Sequence, residues 1–257
     1  MDFQKIVLQG FDGREEALSK IKRYIHGNTK IMYYRTNDFM HSQRVLWHLE
    51  EALPKIQSVY DNLFDIGFAR TLALVHDDAE IITGDVQLCD KERMSDAEKK
   101  ILAEQERNAI TLLIGMYDLR ANGYDYGELL IAAKEKKILE AQFVSFFDKF
   151  DGAGEAWHEI WAGNKYFLPA AGGSNGQGGY IRRLNEFPKK YPIMKNFFDR
   201  YPEYLTQSFD FKFITEHGSP HTTESLQKDS CYVSYERWKN TIMKREGIEK
   251  IVTKIEF

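Results

Sequence analysis

Apolar residues recur every three or four positions through most of the first 165 residues, the spacing that places them on one face of an α-helix. Alternation of the kind that marks strands is nearly absent. The 64–82 segment is apolar nearly all round, which predicts a helix at the centre of the domain, with Gly84 as its stop. We expect helices over 14–25, from 36–38 to Leu53 before Pro54, over 64–82, from a capping box at Ser95 and Glu98 onward, and over 126–150.

The glycine-rich segment 170–179, with five glycines in ten residues, is the clearest break in this pattern. Beyond it the chain is rich in aromatic residues, with a weaker helical pattern over 233–246 and an alternation typical of a short strand over 248–257. The sequence therefore predicts an all-α fold in two parts. Residues 1–165 form a helical bundle, and residues 166–257 form the glycine-rich loop and a mostly helical or irregular appendage packed on that core.

Composition narrows the classes of function. The 257 residues are 43% hydrophobic and carry a formal net charge of −4. A nucleic-acid polymer requires a basic face, so we expect none as a partner, whereas a small phosphate ester requires only a metal and a few basic side chains. The two cysteines, Cys89 and Cys231, are far apart, which argues against a disulfide framework and for a reducing compartment. With no signal-peptide pattern and no apolar run of about 18 residues, a cytoplasmic protein without a membrane partner is expected.

Candidate chemistry concentrates in the run TLALVHDDAEIITGDV, residues 71–86. His76 and Glu80 are four residues apart and share a helix face, whereas Asp77 is rotated by about 100° from His76. An imidazole and a carboxylate on adjacent residues can bind one metal ion only if other ligands meet them at the helix end. The run therefore predicts two ligands of a metal site, His76 and Asp77, and requires further ligands from elsewhere in the chain.

Two further candidate ligands lie elsewhere in the chain. His41 stands early in the second predicted helix, and Asp148 stands among apolar residues near the end of the 126–150 helix. A buried carboxylate is costly unless it is paired or bound to a metal. Two imidazoles and two carboxylates suit a borderline or hard divalent cation, so we expect one ion of Mn, Co, Mg, Fe or Zn.

The order His41, His76–Asp77, Asp148 resembles the H…HD…D signature of the HD-domain metal-dependent phosphohydrolases. The wider pattern HDxxExxxGD, from that pair to Asp85, is similar to the branch that contains the 5′-deoxynucleotidases. The resemblance covers residues 35 to 151. It implies an HD-domain helical bundle and a metal-dependent phosphoric ester hydrolase.

The resemblance also implies a role for each matching residue. The metal ligands would be His41, His76, Asp77 and Asp148. Glu80 would orient or deprotonate the attacking water, Asp85 would contact the substrate or support that base, and Arg35 would hold the phosphate through a bidentate fork. The implied reaction is hydrolysis of a small phosphomonoester, foremost a nucleoside 5′-monophosphate, by attack of a water bound to the metal.

Two departures from the family pattern leave alternatives open. The deoxynucleotidase branch carries an Arg–Trp pair upstream of the first His, but residues 24–28 here read YIHGN. The guanosine-tetraphosphate hydrolases prefer Glu–Asp after the HD pair, where this chain has Glu80–Ile81, so that branch is disfavoured. A nucleotide-sensing module without turnover, a phosphodiesterase and a triphosphohydrolase stay open as alternatives. The oligomeric state is open as well, with a homodimer among the candidates.

Polar residues next to these motifs are expected to have structural roles. Arg44 should pair with a nearby carboxylate. His48 lies two helical turns beyond the first predicted ligand, too far along the axis to share its metal, so we expect a supporting or core role. Asp78 and Asp151 should face solvent or cap helix ends, and Lys149 should lie on the surface.

Overall fold

The computed structural model describes residues 6–25, 27–30, 32–86, 88–171, 179–205 and 230–246. These residues are mostly helical, which confirms the predicted all-α fold. In chain order the helices are α1 (Arg14–Lys20), α2 (Asp38–Tyr60), α3 (Ile66–Val75), α4 (Glu80–Thr83), α5 (Leu88–Arg93), α6 (Asp96–Met116), α7 (Tyr126–Glu135), α8 (Leu139–Trp161), α9 (Leu168–Ala171), α10 (Gly179–Lys190), α11 (Lys195–Arg200) and α12 (Ser230–Glu246). A short hairpin pairs β1 (Arg120–Ala121) antiparallel with β2 (Tyr124–Asp125). Short 3₁₀ turns span Gly27–Lys30, Asp61–Leu63, Lys165–Phe167, Pro192–Met194 and Pro202–Tyr204.

Helices α2, α3 and α8 pack on one another at the centre of the fold, and α1, α7, α10 and α12 pack against them. Side chains between the three central helices are fully buried, among them Val45, Leu49, Leu72, Phe143 and Phe146. Each such side chain stabilises the fold by about 1.5–3 kcal/mol. The helices that carry the predicted metal ligands are therefore the best-packed elements. No helix in the described part of the chain is long and apolar enough to cross a membrane.

Helix α1 ends at Lys20, five residues earlier than predicted. The next residues pair with the segment that leads into α2 instead of continuing the helix. The N–H of Arg23 donates to the carbonyl of Thr36 at 3.2 Å, and the N–H of Asp38 donates to that of Ile21 at 3.1 Å. This pairing places Arg23 beside the N-terminus of α2.

Helix α2 begins after the N-cap Asn37, as predicted, but continues through Pro54 to Tyr60. A proline inside a helix removes one hydrogen bond and costs about 3 kcal/mol. Burial of Leu53, Ile56 and Tyr60 offsets that cost, because each is at least 94% buried. The predicted end at Leu53 was wrong because tertiary packing outweighs the local break.

The predicted helix over 64–82 is two helices. The chain breaks after Val75, turns through His76–Ala79 with hydrogen bonds to the third residue back, and resumes as α4. The cause is Asp78, whose carboxylate is fully buried and receives hydrogen bonds from Arg14 and from the hydroxyl of Tyr126, at 2.7 Å each. The expectation that Asp78 faces solvent was wrong. The break turns His76 and Asp77 out of the continuous helix.

The predicted helix over 126–150 is also two helices, because Lys136 takes the left-handed conformation (φ 55°, ψ 34°) and ends α7. Helix α8 then runs on to Trp161. By contrast, the capping box of Ser95 and Glu98 at the start of α6 is confirmed, with both reciprocal hydrogen bonds present.

The C-terminal elements pack directly on α8. Glycines on α8 permit the close approach, since a Cβ at Gly154 would overlap the indole ring of Trp238, and one at Gly152 would lie 2.7 Å from the hydroxyl of Tyr180. Helix α12 includes the predicted 233–246 helix and begins at Ser230. The 172–178 part of the glycine-rich segment and the predicted strand over 248–257 lie outside the described residues. The boundary between residues 165 and 166 stays a prediction.

Candidate metal centre and its pocket

The four predicted ligands meet at one point, delivered by α2, by the corner after α3 and by α8. The Nε2 atom of His41 lies 3.5 Å from Asp77 Oδ2 and 3.4 Å from Asp148 Oδ1, and His76 Nε2 lies 3.3 Å from Asp77 Oδ2. Ligand atoms of His41, His76 and Asp148 all lie within 4.8 Å of one another. Donor atoms at such separations can share one ion at bond lengths of about 2.0–2.2 Å.

The two imidazole rings are oriented to present Nε2 to this point. The Nδ1 atom of His41 hydrogen-bonds to Asp151 Oδ2 at 2.7 Å, and that of His76 to the carbonyl of Ala73 at 2.8 Å. A carboxylate and a carbonyl only accept, so Nδ1 carries the proton in both rings. Both Nε2 atoms are buried and have no hydrogen-bond partner. Metal-binding histidines show this arrangement, so the residues present fit a divalent cation.

Electrostatics at the four ligands favour a positive charge. Burial lowers the pKa of His76, so its ring is neutral at neutral pH. Burial and Arg23 also lower the pKa of His41, but the carboxylates of Asp148 and Asp151 outweigh both and raise it to about 10. A cation binding here would replace the Nε2 proton of His41. The assignment of His41, His76, Asp77 and Asp148 as metal ligands stays a prediction.

Asp151 supports His41 from behind. Its carboxylate is fully buried and receives hydrogen bonds from His41, from His48 Nε2 at 3.3 Å and from the indole of Trp238 at 2.6 Å. The expectation that Asp151 faces solvent or caps a helix was wrong, and the supporting role of His48 is confirmed by this contact. The missed signal was spacing, because Asp151 lies one turn after Asp148 on the same helix.

Carboxylates of Asp38, Glu80 and Asp85 form one side of the centre, called here the acidic flank. Burial raises the pKa of Glu80 well above its ordinary value, and Asp77 and Asp38 raise it further. Burial likewise raises the pKa of Asp38 to about 7, although Arg23 acts in the opposite direction. The Oε2 atom of Glu80 is buried without a hydrogen-bond partner. The flank therefore offers a carboxylate with unusually high affinity for a proton, next to the metal ligands.

Two arginines stand near this flank, and only Arg23, which the sequence analysis did not single out, lines the pocket. Arg35 donates to the backbone carbonyls of Arg23, at 3.0 Å, and of Lys30, and it is not among the residues that line the pocket. Arg23 does line it, held by Glu155 at 3.1 Å and by Asp38 at 3.6 Å. The sequence window at 24–28 began at Tyr24, one residue too late to include Arg23. The phosphate contact of Arg35 stays a prediction.

Lysines also line the pocket, and Lys136 and Lys149 are called here the basic flank. Lys149 pairs with Asp148, and its side chain is only 21% exposed, so the expected surface position was wrong. Asp85 and an apolar wall that includes Leu130 also line the pocket. The metal ligands His76, Asp77 and Asp148 thus line the same pocket as basic and acidic side chains.

A second layer of buried charges lies beneath the centre. Arg44 is fully buried and pairs with Glu155 at 3.2 Å and with Glu246 of α12 at 2.8 Å. The predicted pairing of Arg44 with a carboxylate is confirmed. Buried charges are tolerated only when paired, and this pair ties α12 to the back of the site.

Comparisons with known proteins agree with the helical fold. A family model described as 5′-deoxynucleotidase YfbR-like matches residues 16–186. A conserved hypothetical protein from Pyrococcus furiosus superposes with a TM-score of 0.54 at 18% sequence identity, over 74% of this chain and 95% of that chain. A protein from Magnetospirillum magnetotacticum described as a predicted metal-dependent phosphohydrolase gives a TM-score of 0.44 at 21% identity, over 77% of this chain and 93% of that chain. The first shares the fold, and the second likeness is too weak for any inference. No curated protein matches this chain.

Proposed function

Because the chain belongs to the YfbR-like 5′-deoxynucleotidase family, which confirms the predicted HD-type phosphohydrolase, we propose that it hydrolyses a small phosphomonoester, foremost a nucleoside 5′-monophosphate. The family match covers the segments that carry all four proposed metal ligands and the acidic flank. The observation that carries the proposal is the convergence of two unpartnered imidazole nitrogens with two carboxylates beside Glu80.

The proposed metal ligands are His41, His76, Asp77 and Asp148, and one divalent ion would occupy the point where they meet. When bound, such an ion supplies Lewis acidity toward the phosphoryl group and lowers the pKa of water. Mn, Co, Mg, Fe and Zn all accept this donor set, so the identity of the ion is a matter for experiment.

Glu80 is proposed to take the proton of the attacking water. A general base works best when its pKa lies near the working pH, and burial moves Glu80 in that direction. Asp85, on the same flank, would contact the substrate or support Glu80. Arg35 would have to release two carbonyls to reach a phosphate, so the proposal assigns charge stabilisation on this flank to Arg23.

The test is phosphate release by purified protein from a panel of nucleoside monophosphates and sugar phosphates, in Mn²⁺, Co²⁺ or Mg²⁺. Activity should appear with metal and disappear on chelation. Glu80→Gln should lower kcat by roughly 10²–10⁴-fold, the usual contribution of a general base. Glu104→Gln, on the exposed face of α6, is the matched control and should leave kcat unchanged.

Product analysis with cyclic nucleotides and nucleoside triphosphates separates the alternatives. Release of a mononucleotide from a cyclic substrate, or of triphosphate from a nucleoside triphosphate, would replace the monophosphatase assignment. A folded, metal-loaded sample that hydrolyses no phosphate ester, and whose ligand binding is unaffected by Glu80→Gln, would favour a nucleotide-sensing module instead.

A further inference from the structure

Cations line the pocket on several sides, and nearly all of them are already paired with carboxylates. Among the described residues that line it, Lys136 is the one cation without an ion-pair partner. The paired ones are Lys149 with Asp148, Lys134 with Glu106 at 3.3 Å, Lys91 with Glu106 at 4.0 Å, and Arg23 with Glu155 at 3.1 Å. Lys136 therefore has its charge available for a ligand.

The backbone at Lys136 is unusual for a lysine. It lies in the left-handed region, which glycine and asparagine adopt far more readily than residues with long side chains. Its N–H donates to the carbonyl of Ala132 at 2.9 Å, and its own carbonyl accepts from Gln142 Nε2 at 3.1 Å, so the position is fixed. When a residue is held in a backbone conformation that it disfavours beside a site, its side chain is a candidate for a functional role there.

The surroundings of Lys136 favour an anion. Burial lowers the pKa of Lys136 to about 8, and the neighbouring charge of Lys149 acts in the same direction. The neighbouring carboxylate of Asp148 is occupied by Lys149 and faces His41. A dianion between the two lysines would relieve their mutual repulsion, whereas the carboxylates of the acidic flank would repel it.

We propose that Lys136 binds the phosphate dianion of the substrate and makes the basic flank the phosphate-recognition side of the pocket. This inference rests on the proposed function, since it takes the phosphomonoester as the ligand. Attack then comes from water held at Glu80. Because a monoester carries two negative charges and a diester one, Lys136 is a specificity-determining residue for monoesters.

The test uses Lys136→Asn, which removes the charge while placing in the left-handed position a residue that favours it. The variant should therefore be at least as stable as the wild type, so unfolding cannot explain a loss of binding. The probe is inorganic phosphate, titrated calorimetrically into the full chain in Mg²⁺. We expect phosphate affinity to fall at least tenfold in Lys136→Asn and to recover largely in Lys136→Arg. Lys137→Asn is the control, because Lys137 is exposed and pairs with Glu135 at 3.0 Å.

Kinetics supply the second measurement. Lys136→Asn should raise KM for a phosphomonoester at least tenfold with a smaller effect on kcat. It should also lower the ratio of kcat/KM for monoesters to kcat/KM for diesters. Equal phosphate affinity in wild type and Lys136→Asn, or no phosphate binding by wild type, would overturn the inference. Lys136-dependent phosphate binding without turnover would instead contradict only the proposed function. Turnover with unchanged KM in Lys136→Asn would contradict only the inference.

Discussion

Asp151→Asn is expected to disable the metal centre although Asp151 is not a proposed ligand. One carboxylate oxygen, Oδ2, accepts from His41 Nδ1 at 2.7 Å. The other, Oδ1, accepts from Trp238 at 2.6 Å and from His48 at 3.3 Å. The site therefore requires two acceptors, and an asparagine amide has one.

Either orientation of the amide leaves a conflict. With its NH₂ toward His41, Nδ1 must accept and the ring proton moves to Nε2, which removes the lone pair that a metal needs. With its NH₂ toward Trp238, two donors face each other in a buried place, because an indole N–H can only donate. Such a buried unsatisfied group costs about 1–3 kcal/mol.

The expected result is a 10–100-fold loss of metal affinity, the usual effect of removing the group that orients a histidine ligand. Thermal unfolding of the metal-free protein should show the accompanying loss of stability. The assay is competition for Mn²⁺ against a fluorescent chelator. Asp199→Asn is the control, since that carboxylate is 59% exposed and pairs with Lys195 on the surface. Wild-type affinity in Asp151→Asn would refute the reasoning.

Three further predictions concern the scaffold. Arg14→Ala should destabilise the fold by about 3–5 kcal/mol in urea unfolding, because it leaves the buried carboxylate of Asp78 without its cation. Gly154→Ala should cost at least about 1–3 kcal/mol by overpacking against Trp238, measured by the same method. Although burial raises the pKa of Asp151, hydrogen bonds from His41 and His48 outweigh it and hold that pKa below its ordinary value. The stability from Asp151 is therefore present above about pH 4 and lost as pH falls further, so acid unfolding should be steeper in wild type than in Asp151→Asn.

Matched substitutions make these three results interpretable. Lys20→Ala removes an exposed cation from α1 and should change stability by less than about 0.5 kcal/mol. Gly115→Ala, where a Cβ meets nothing within 4 Å, should stabilise α6 slightly. If Arg14→Ala or Gly154→Ala behaved like its control, the packing account of that position would be wrong. An acid transition equally steep in wild type and Asp151→Asn would contradict the assigned pKa direction.

The central helices and the identity of the proposed ligands could be predicted because both depend on local pattern. Helical periodicity marks α2, α3 and α8, and a His–Asp pair at the end of an apolar run is conspicuous. The ends of helices could not be predicted where contacts with residues distant in the sequence determine them. Pro54 is tolerated because the residues after it are buried. The turn at His76–Ala79 follows from the pairing of Asp78 with Arg14, 64 positions earlier in the chain.

The supporting residues could not be found from spacing to the HD pair alone. Arg23 reaches the pocket because its segment pairs with the entry to α2, a contact that no local pattern signals. Lys136 appears in sequence as one of several charged residues inside a predicted helix. It is distinguished by its left-handed backbone and by the pairing of the other described lysines and arginines that line the pocket.

The most direct test of the account is anomalous diffraction from crystals of the full chain grown with Mn²⁺. The account predicts one strong peak per chain, about 2.0–2.4 Å from the Nε2 atoms of His41 and His76 and from carboxylate oxygens of Asp77 and Asp148. In Asp77→Ala crystals under the same conditions that peak should vanish. A peak at another site, or one that persists unchanged in the variant, would contradict the assignment of these four side chains as the metal centre.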